Sequence, residues 1–164
     1  MILIVIASDN MSDHLYFMRQ AYNEALKAYE ANETPIGCVI VYKDSIIGRA
    51  CNMRNTDKNV LHHAEILAID QACAYMGDWR LEGCRLYVTV EPCAMCAGAI
   101  IQARMSEVVF GAHNLKAGCA GSILNILCEP RFNHQARVTG GVMETECSRL
   151  MSDFFTRFRQ QQHD

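Results

Sequence analysis

The sequence predicts a single α/β domain in which helices lie on both faces of a central sheet. Three observations predict this fold. Apolar residues recur at helical spacing in four segments, short apolar runs alternate with those segments, and no internal repeat or linker interrupts the 164 residues. Segments that alternate in this way typically form three-layer α/β/α domains. A chain of this length can bury a substantial core.

The expected elements follow one another along the chain. Helical spacing of apolar residues predicts four helices, over residues 12–31, 64–75, 93–103 and 143–159. Short apolar runs predict five strands, over residues 36–42, 46–52, 85–90, 107–111 and 135–139. Lys43-Asp44 is a turn candidate, so the first two strands are expected to form a hairpin, and Gly77 is expected to close the second helix. Residues 112–134 form a long connection.

Composition limits the cellular setting. Nine cysteines are an odd number, so a complete set of internal disulfides is impossible, and a reducing, cytoplasmic compartment is expected. No apolar run approaches the ~18 residues of a membrane span. Residues 1–11 are interpreted as an N-terminal extension with Met11 as a second candidate start, the alternative being a short signal-peptide core. A single zinc-dependent domain is then expected over residues 12–160.

The net charge of −3 does not indicate a general affinity for nucleic acid. Acidic side chains outnumber basic ones in residues 1–98, by 12 to 8, whereas residues 99–164 carry 7 basic and 6 acidic side chains. Any contact with RNA would therefore be local and would involve the last third of the chain, where Arg149, Arg157 and Arg159 lie. Composition alone favours the alternative that these arginines are solvated on a helix surface.

Two short motifs carry the chemistry. His63-Ala64-Glu65 is followed about thirty residues later by Pro92-Cys93-Ala94-Met95-Cys96. An H-x-E segment paired with P-C-x-x-C is typical of zinc nucleobase deaminases. One imidazole and two thiolates leave the fourth tetrahedral position of zinc for water, whose pKa falls to roughly 7. A structural zinc site would instead need a fourth protein ligand.

The metal ligands are assigned as His63, Cys93 and Cys96. Both motifs are expected at helix starts, and a three-residue spacing on a helix brings the two sulfurs to one face. His62 is one residue out of register with H-x-E, so it is not expected to bind the metal. Spacing alone does not exclude Glu65 as a ligand, but deamination requires a group that moves protons, and Glu65 is the candidate for that catalytic role.

Several segments together resemble the bacterial tRNA adenosine deaminases. These are Pro35-Ile36-Gly37, His63-Ala64-Glu65, residues 86–99, residues 108–112, Ala120-Gly121-Ser122, Phe132-Asn133-His134 and Asp153-Phe154-Phe155. The resemblance runs from about residue 13 to residue 159. The zinc motifs alone are shared with cytidine, deoxycytidylate and guanine deaminases, whereas the later segments are similar to the tRNA enzymes.

The resemblance implies a cytidine deaminase-like fold with a central mixed sheet, one Zn²⁺ per chain, a homodimer and the anticodon loop of a tRNA as partner. The implied reaction converts adenosine to inosine at the wobble position, with a zinc-bound hydroxide attacking C6 of the flipped-out adenine while Glu65 moves protons. It also implies that Asn52 contacts the target nucleoside. Lys116 is a candidate phosphate contact, and Phe154 and Phe155 match positions near the anticodon, one of them being expected in the core.

At Asn114 the chain departs from the resemblance, because many family members have an acid there. An uncharged side chain would reduce repulsion toward nearby phosphates, so Asn114 is a candidate substrate-binding residue. Two other functions remain open. The enzyme could act on a free nucleobase or nucleoside such as guanine, a choice that depends on residues 112–159. A zinc-stabilised, non-enzymatic RNA-binding or partner subunit is disfavoured by the presence of Glu65.

Overall fold

A five-stranded sheet covered by helices on both faces forms the fold. The computed structural model describes residues 11–161. Its helices are α1 (Met11–Glu30), α2 (Ala64–Met76), α3 (Ala94–Gln102) and α4 (Glu144–Gln161). Its strands are β1 (Gly37–Tyr42), β2 (Ser45–Cys51), β3 (Arg85–Val90), β4 (Glu107–Ala112) and β5 (Arg137–Thr139). None of the helices in residues 11–161 is long and apolar enough to cross a membrane.

The sheet is mixed, with the order β2-β1-β3-β4-β5. Strand β1 pairs antiparallel with both β2 and β3, whereas β4 runs parallel to β3 and to β5. Each parallel pair is joined by a connection that crosses a face of the sheet, and α3 lies in the connection between β3 and β4. The predicted α/β class with a mixed sheet of about five strands is confirmed.

Alternating side chains of the buried strands supply two separate cores. In β1, Cys38 and Ile40 pack with α2 and α3 on one face, while Val39 and Val41 pack with α1 on the other. Helix α1 lies very close to the start of β1, because a Cβ atom on Gly37 would be only 2.0 Å from the carbonyl oxygen of Ala21. Only glycine permits this approach.

Most predicted elements agree with the structure to within one or two residues. Lys43 and Asp44 join β1 to β2 with φ values of 46° and 63°, a left-handed pair typical of tight hairpin turns. Gly77 ends α2 in the left-handed conformation, and its N–H donates to the carbonyl of Cys73. Residues 1–10 of the expected extension lie outside the described residues, and Met11 already belongs to α1.

Strand β5 is shorter than the predicted 135–139. Its first two expected residues bond elsewhere, because the N–H of Ala136 donates to Leu127 and the side chain of Gln135 donates to carbonyls of Glu129 and Phe132. These bonds tie residues 135 and 136 to the long connection rather than to β4. Within the connection, Ala120 and Asn125 form an isolated bridge.

One edge of the sheet gathers the chain segments that carry the two motifs. Because β1 is antiparallel to β3, the start of β1 lies at the same edge as the end of β3. The ends of β2 and β4 also reach this edge, since β2 is antiparallel to β1 and β4 is parallel to β3. Segments remote in sequence therefore converge at a single place.

Candidate active site

The candidate metal-binding residues lie at the starts of two helices. His63 is the N-cap of α2 and Cys93 is the N-cap of α3, both in extended backbone conformation, and Cys96 lies one turn into α3. Neither side chain makes a capping hydrogen bond, and both point toward the space between the two helices. Backbone N–H groups at a helix start favour negative charge, which suits thiolate ligands.

The three side chains form a compact group that fits a metal ion. Their ligand atoms all lie within 4.8 Å of one another. His63 Nδ1 is 3.7 Å from Cys93 Sγ and 3.6 Å from Cys96 Sγ. Tetrahedral zinc, with Zn–S bonds of about 2.3 Å and a Zn–N bond of about 2.0 Å, requires a sulfur–nitrogen separation of about 3.5 Å. The predicted His63, Cys93 and Cys96 thus lie together in an arrangement that can hold zinc.

The pKa values of the two cysteine thiols are shifted in opposite directions. A hydrogen bond from Cys96 lowers the pKa of Cys93 to about 4, and His63 contributes in the same direction. The pKa of Cys96 is raised by the same hydrogen bond and by burial. One thiolate is therefore already favoured, and a bound cation would favour ionisation of the second thiol.

His62 is engaged away from this group, which agrees with the choice of His63. One ring nitrogen, Nδ1, lies 2.6 Å from Asp57 Oδ2, and the other, Nε2, lies 3.0 Å from Asn59 Nδ2. Both nitrogens of His62 therefore bond within the loop that precedes α2. His62 supports the shape of that loop instead of offering a ligand atom.

Glu65 lies beside the candidate metal-binding group, in the first turn of α2, and is only 4% exposed. Burial raises the pKa of its carboxyl group to about 7, and the negative charge of Cys93 acts in the same direction. In the described residues, its oxygens are not part of the His63, Cys93 and Cys96 group. A carboxyl group with such a pKa can both hold and release a proton near neutrality.

A small cavity of about 90 Å³ opens in front of this group. Its lining residues come from three segments and comprise Thr34, Ile36, Asn52, Arg54, His63, Ala64 and Glu65. Asn52 is 5% exposed, and its Nδ2 donates to Glu33 Oε2 at 3.3 Å and to the carbonyl of Thr34 at 3.4 Å. Asn52 therefore lies in the cavity with a restrained carboxamide.

A larger groove of about 800 Å³ continues from the small cavity, because Thr34, Ile36 and Arg54 line both. Three residues singled out in the sequence line this groove: Asn114, Lys116 and Phe155. Arg159 also lines it. Phe155 is 42% exposed, whereas its neighbour Phe154 is 4% exposed and packs in a ring contact with Tyr29. The two phenylalanines thus divide as expected, with Phe154 in the core.

The other two arginines of α4 do not line the groove. Arg157 stacks on the ring of Tyr29 at 4.0 Å and donates to the Tyr29 carbonyl and to Asn32 Oδ1. Its guanidinium therefore connects α4 to the end of α1. Arg149 lies on the exposed surface of α4.

The connection over residues 113–122, of which residues 113–116 line the groove, is organised by one buried carboxylate, Glu91. Its Oε1 accepts from the N–H groups of Ala120 and Ser122 at 3.0 and 2.9 Å, and its Oε2 accepts from the N–H of Asn114 at 2.9 Å and from the Ser122 hydroxyl. The connection passes so close that a Cβ atom on Gly118 would lie 2.4 Å from the Glu91 carboxyl carbon. Glu91 thereby links the strand end before Pro92 to the groove.

Asn114 contributes to the turn of that connection. Its Oδ1 accepts from the N–H groups of Lys116 and Ala117 at 3.3 and 3.1 Å. Such a turn can be made equally by asparagine or aspartate. Compared with an aspartate at this position, Asn114 therefore makes the groove less negative and keeps the same backbone conformation.

Sequence reasoning did not identify Glu33, Glu91 or Arg54. The two glutamates lie near prolines and are not part of the H-x-E or P-C-x-x-C motif. Only the structure shows that they are buried, with Glu33 1% and Glu91 2% exposed. Arg54 follows Asn52 by two residues in a polar loop, where a solvated cation is the ordinary expectation. Its position at the junction of the two cavities depends on how that loop folds.

The chain is similar to known deaminases over most of its length. The family model for MafB19-like deaminases matches residues 12–159. The chain is 53% identical to the tRNA-specific adenosine deaminase of Bacillus subtilis over 147 residues, which are 90% of this chain and 91% of that protein.

Solved structures show the same fold. One structure comes from biochemical and structural studies of A-to-I editing by tRNA:A34 deaminases at the wobble position of transfer RNA. It has a TM-score of 0.79 and 39% sequence identity to this chain, and the match covers 82% of this chain and 98% of that one. A guanine deaminase from Bacillus subtilis has a TM-score of 0.59 and 38% identity, and the match covers 61% of this chain and 64% of that one. The similarity to the tRNA-editing structure thus extends over more of the chain.

Proposed function

Because the chain belongs to the family of bacterial tRNA-specific adenosine deaminases, we propose that it converts adenosine to inosine at the wobble position of a tRNA anticodon. One observation carries the proposal. The group of His63, Cys93 and Cys96 adjoins a small cavity that His63 and Glu65 line, and this cavity opens into a groove lined by cations and an exposed aromatic ring.

His63, Cys93 and Cys96 would hold a zinc ion, since their spacing and their donor atoms fit it. When bound, zinc supplies a Lewis acid that lowers the pKa of a water molecule to roughly 7. A site with three protein donors leaves room for that water, whereas a structural site uses four.

Glu65 is the proposed acid and base. Deamination forms a C–O bond at C6 of adenine and breaks the C–N bond there, with water as co-reactant and ammonia as leaving group. The Glu65 carboxylate accepts a proton from the water and delivers it to the ring, and then a proton must reach the departing amine. A carboxyl pKa of about 7 allows both transfers near neutral pH.

The remaining residues would bind and orient the substrate. Asn52 lies in the small cavity, where a base extruded from the RNA would enter, and it is the proposed contact to the target nucleoside. Along the groove, Lys116 would bind a phosphate and Phe155 would offer a ring on which a neighbouring base can stack. Asn114 lines the same groove and adds no negative charge.

The proposal is tested with an anticodon stem-loop that carries adenosine at the wobble position. Mass spectrometry of the digested RNA should show inosine, and the same loop with its adenosine in the paired stem serves as the control. Free guanine, cytidine and adenosine are assayed in parallel for ammonia. Ammonia from guanine without inosine in the RNA would instead identify a free-base deaminase, the alternative that similarity to guanine deaminase favours.

We also propose that the protein is a homodimer in the cytoplasm. The long connection exposes Ile123, Leu124 and Phe132 by 52%, 57% and 47%, and Leu124 and Phe132 line a shallow pocket of about 230 Å³. Exposed apolar side chains grouped in this way are typical of protein interfaces. All nine cysteines are free thiols, which persist in a reducing compartment.

A further inference from the structure

We infer that Glu33 is a positioning residue, which fixes the orientation of the Asn52 carboxamide in the small cavity. The inference rests on the proposed deamination, because Asn52 is there the contact to the target nucleoside. Glu33 is 1% exposed and does not line either cavity that Asn52 or Arg54 lines. Its action on the substrate is therefore indirect.

The end of α1 delivers Glu33 to this place. Asn32 adopts a left-handed conformation with φ of 57°, and the N–H groups of Asn32 and Glu33 donate to the carbonyls of Tyr29 and Ala28. These two bonds form a Schellman motif, a common and rigid helix ending. The backbone of Glu33 is thus held by the helix itself, independently of the loop that its side chain contacts.

The carboxylate of Glu33 accepts hydrogen bonds from two neighbours. Its Oε1 accepts from the N–H of Thr56 at 2.6 Å and from the Thr56 hydroxyl at 2.9 Å, and its Oε2 accepts from Asn52 Nδ2 at 3.3 Å. All three donors are uncharged. Removing one partner from such a buried network leaves a donor unsatisfied, which is more costly than the net value of one bond.

The chemistry of the carboxylate determines which end of the Asn52 amide faces it. A carboxylate can only accept, so Nδ2 must point toward Glu33 and Oδ1 must point away. Two longer bonds support the same orientation, because Nδ2 also donates to the Thr34 carbonyl at 3.4 Å and Oδ1 accepts from the N–H of Arg54 at 3.4 Å. Glu33 supplies the charged acceptor in this set and therefore strongly favours one hydrogen-bonding pattern of Asn52 toward the substrate.

Thr56 extends this control to the loop that carries Arg54. The loop is closed by its own backbone bonds, with the N–H of Asn59 donating to the Arg54 carbonyl and the N–H of Met53 donating to the His62 carbonyl. Glu33 anchors the loop from outside through Thr56. One buried side chain thus supports both the nucleoside contact and the segment that leads to His63.

A double-mutant cycle tests the inference. Glu33→Gln keeps the size of the side chain but replaces one acceptor by a donor, and kcat/KM on the anticodon stem-loop should fall about tenfold. If Glu33 acts through Asn52, the same substitution in an Asn52→Ala background should change kcat/KM by less than about twofold. Equal losses in both backgrounds would overturn the inference and leave Glu33 with a structural role only.

Glu107→Gln is the matched control. Glu107 is also 1% exposed, but it lies at the start of β4, at the end of that strand away from the site, where it pairs with Arg137. This substitution should lower the melting temperature without a change in kcat/KM. A similar kinetic loss in both variants would indicate a general effect of buried-charge removal and would contradict the assignment.

A second readout does not depend on turnover. In the wild-type protein, the side-chain amide protons of Asn52, assigned by their loss in Asn52→Ala, should exchange slowly with solvent and give one sharp pair of NMR signals. Glu33→Gln should broaden or shift that pair. An unchanged pair contradicts the positioning role, whereas a wild-type protein that shows the restrained pair but makes no inosine contradicts only the proposed function.

Discussion

At the scale of single residues, the proposed metal ligands are separate from the proposed proton-transfer group. His63, Cys93 and Cys96 place their ligand atoms within 4.8 Å of one another, while Glu65 stays outside that group and is buried beside it. The separation follows from local structure. His63 precedes α2 and Glu65 lies two residues later inside it, so the two side chains leave the backbone in different directions.

Glu65→Gln should retain the metal and lose turnover. Glutamine has the same shape as the carboxylic acid, but it cannot accept and deliver a proton, so general acid–base catalysis worth about 10²–10⁴-fold in kcat should disappear. Zinc content is measured by atomic absorption and kcat on the anticodon stem-loop. Normal turnover would refute the acid–base role, and loss of zinc would indicate that Glu65 is a ligand.

Asn114→Asp should weaken binding of RNA without a loss of stability. Aspartate can accept the same backbone hydrogen bonds that Asn114 Oδ1 accepts from Lys116 and Ala117, so the turn is retained. The added negative charge lies in the groove and repels phosphate, so KM for the stem-loop should rise about threefold to tenfold at low salt and less at high salt. The melting temperature is the control. Single-stranded DNA is assayed alongside, and identical activity profiles of the two proteins on both substrates would contradict the role of Asn114.

At the scale of elements, the two walls of the site are held by buried carboxylates that follow an element end. Glu33 follows α1 and supports residues 52–56, whereas Glu91 follows β3 and supports residues 114–122. Burial alone would raise the pKa of Glu91, but its hydrogen bonds to Ser122, Asn114 and Ala120 lower it overall. The loop over residues 52–56 is thus held by a residue at the end of α1, and the connection over residues 114–122 by a residue at the end of β3.

Gly118→Ala should disturb the connection beside the groove more than the fold. The new methyl group would lie 2.4 Å from the Glu91 carboxyl carbon, so the connection must move away and its bonds to Glu91 must lengthen. Overpacking of this kind costs roughly 1–3 kcal/mol. Urea unfolding measures the loss, and kcat/KM on the stem-loop should fall as well.

Gly98→Ala is the control for this substitution. Gly98 lies within α3, and a Cβ atom added there has no neighbour within 4 Å. The variant should equal or slightly exceed the wild-type stability, because alanine favours helix. An equal loss of stability in both variants would contradict the packing argument.

The elements and the metal-binding residues could be predicted from the sequence because both depend on local patterns. Hydrophobic spacing indicates helices, and short motifs at their first residues indicate ligands. The roles of Glu33 and Glu91 could not be predicted, because their hydrogen-bond partners are remote in sequence. Asn52 lies 19 residues from Glu33, and Ser122 lies 31 residues from Glu91. A buried carboxylate bonded only to neutral groups has no local signature. Strand β5 was predicted too long for a related reason, since its first residues bond to the connection.

At the scale of the whole molecule, the exposed apolar side chains of the long connection lie outside both cores. Leu127 is fully buried, whereas Ile123 and Leu124 are more than half exposed in the same segment. The segment therefore has one face that packs on the domain and another that a second subunit would cover. The proposed dimer would bury these residues.

Leu124→Glu should convert the dimer to a monomer. A charged side chain in the pocket shared with Ile126 and Phe132 cannot be desolvated without a partner, so association should weaken by at least a factor of about 10². Sedimentation velocity measures the change. Val60→Glu, at a residue that is 69% exposed in a different loop, is the comparison variant. Retention of the dimer in Leu124→Glu would place the interface elsewhere.

The small cavity and the groove share few lining residues, so they can vary largely independently. Only Thr34, Ile36 and Arg54 line both. The small cavity, where the reaction is proposed to occur, and the groove, which is proposed to bind RNA, therefore come from largely different parts of the chain. Natural variation can therefore reshape the groove while the small cavity stays intact. A library confined to residues 113–116 and the groove-lining residues of α4 is accordingly the economical starting point for retargeting such an enzyme to new nucleic acids.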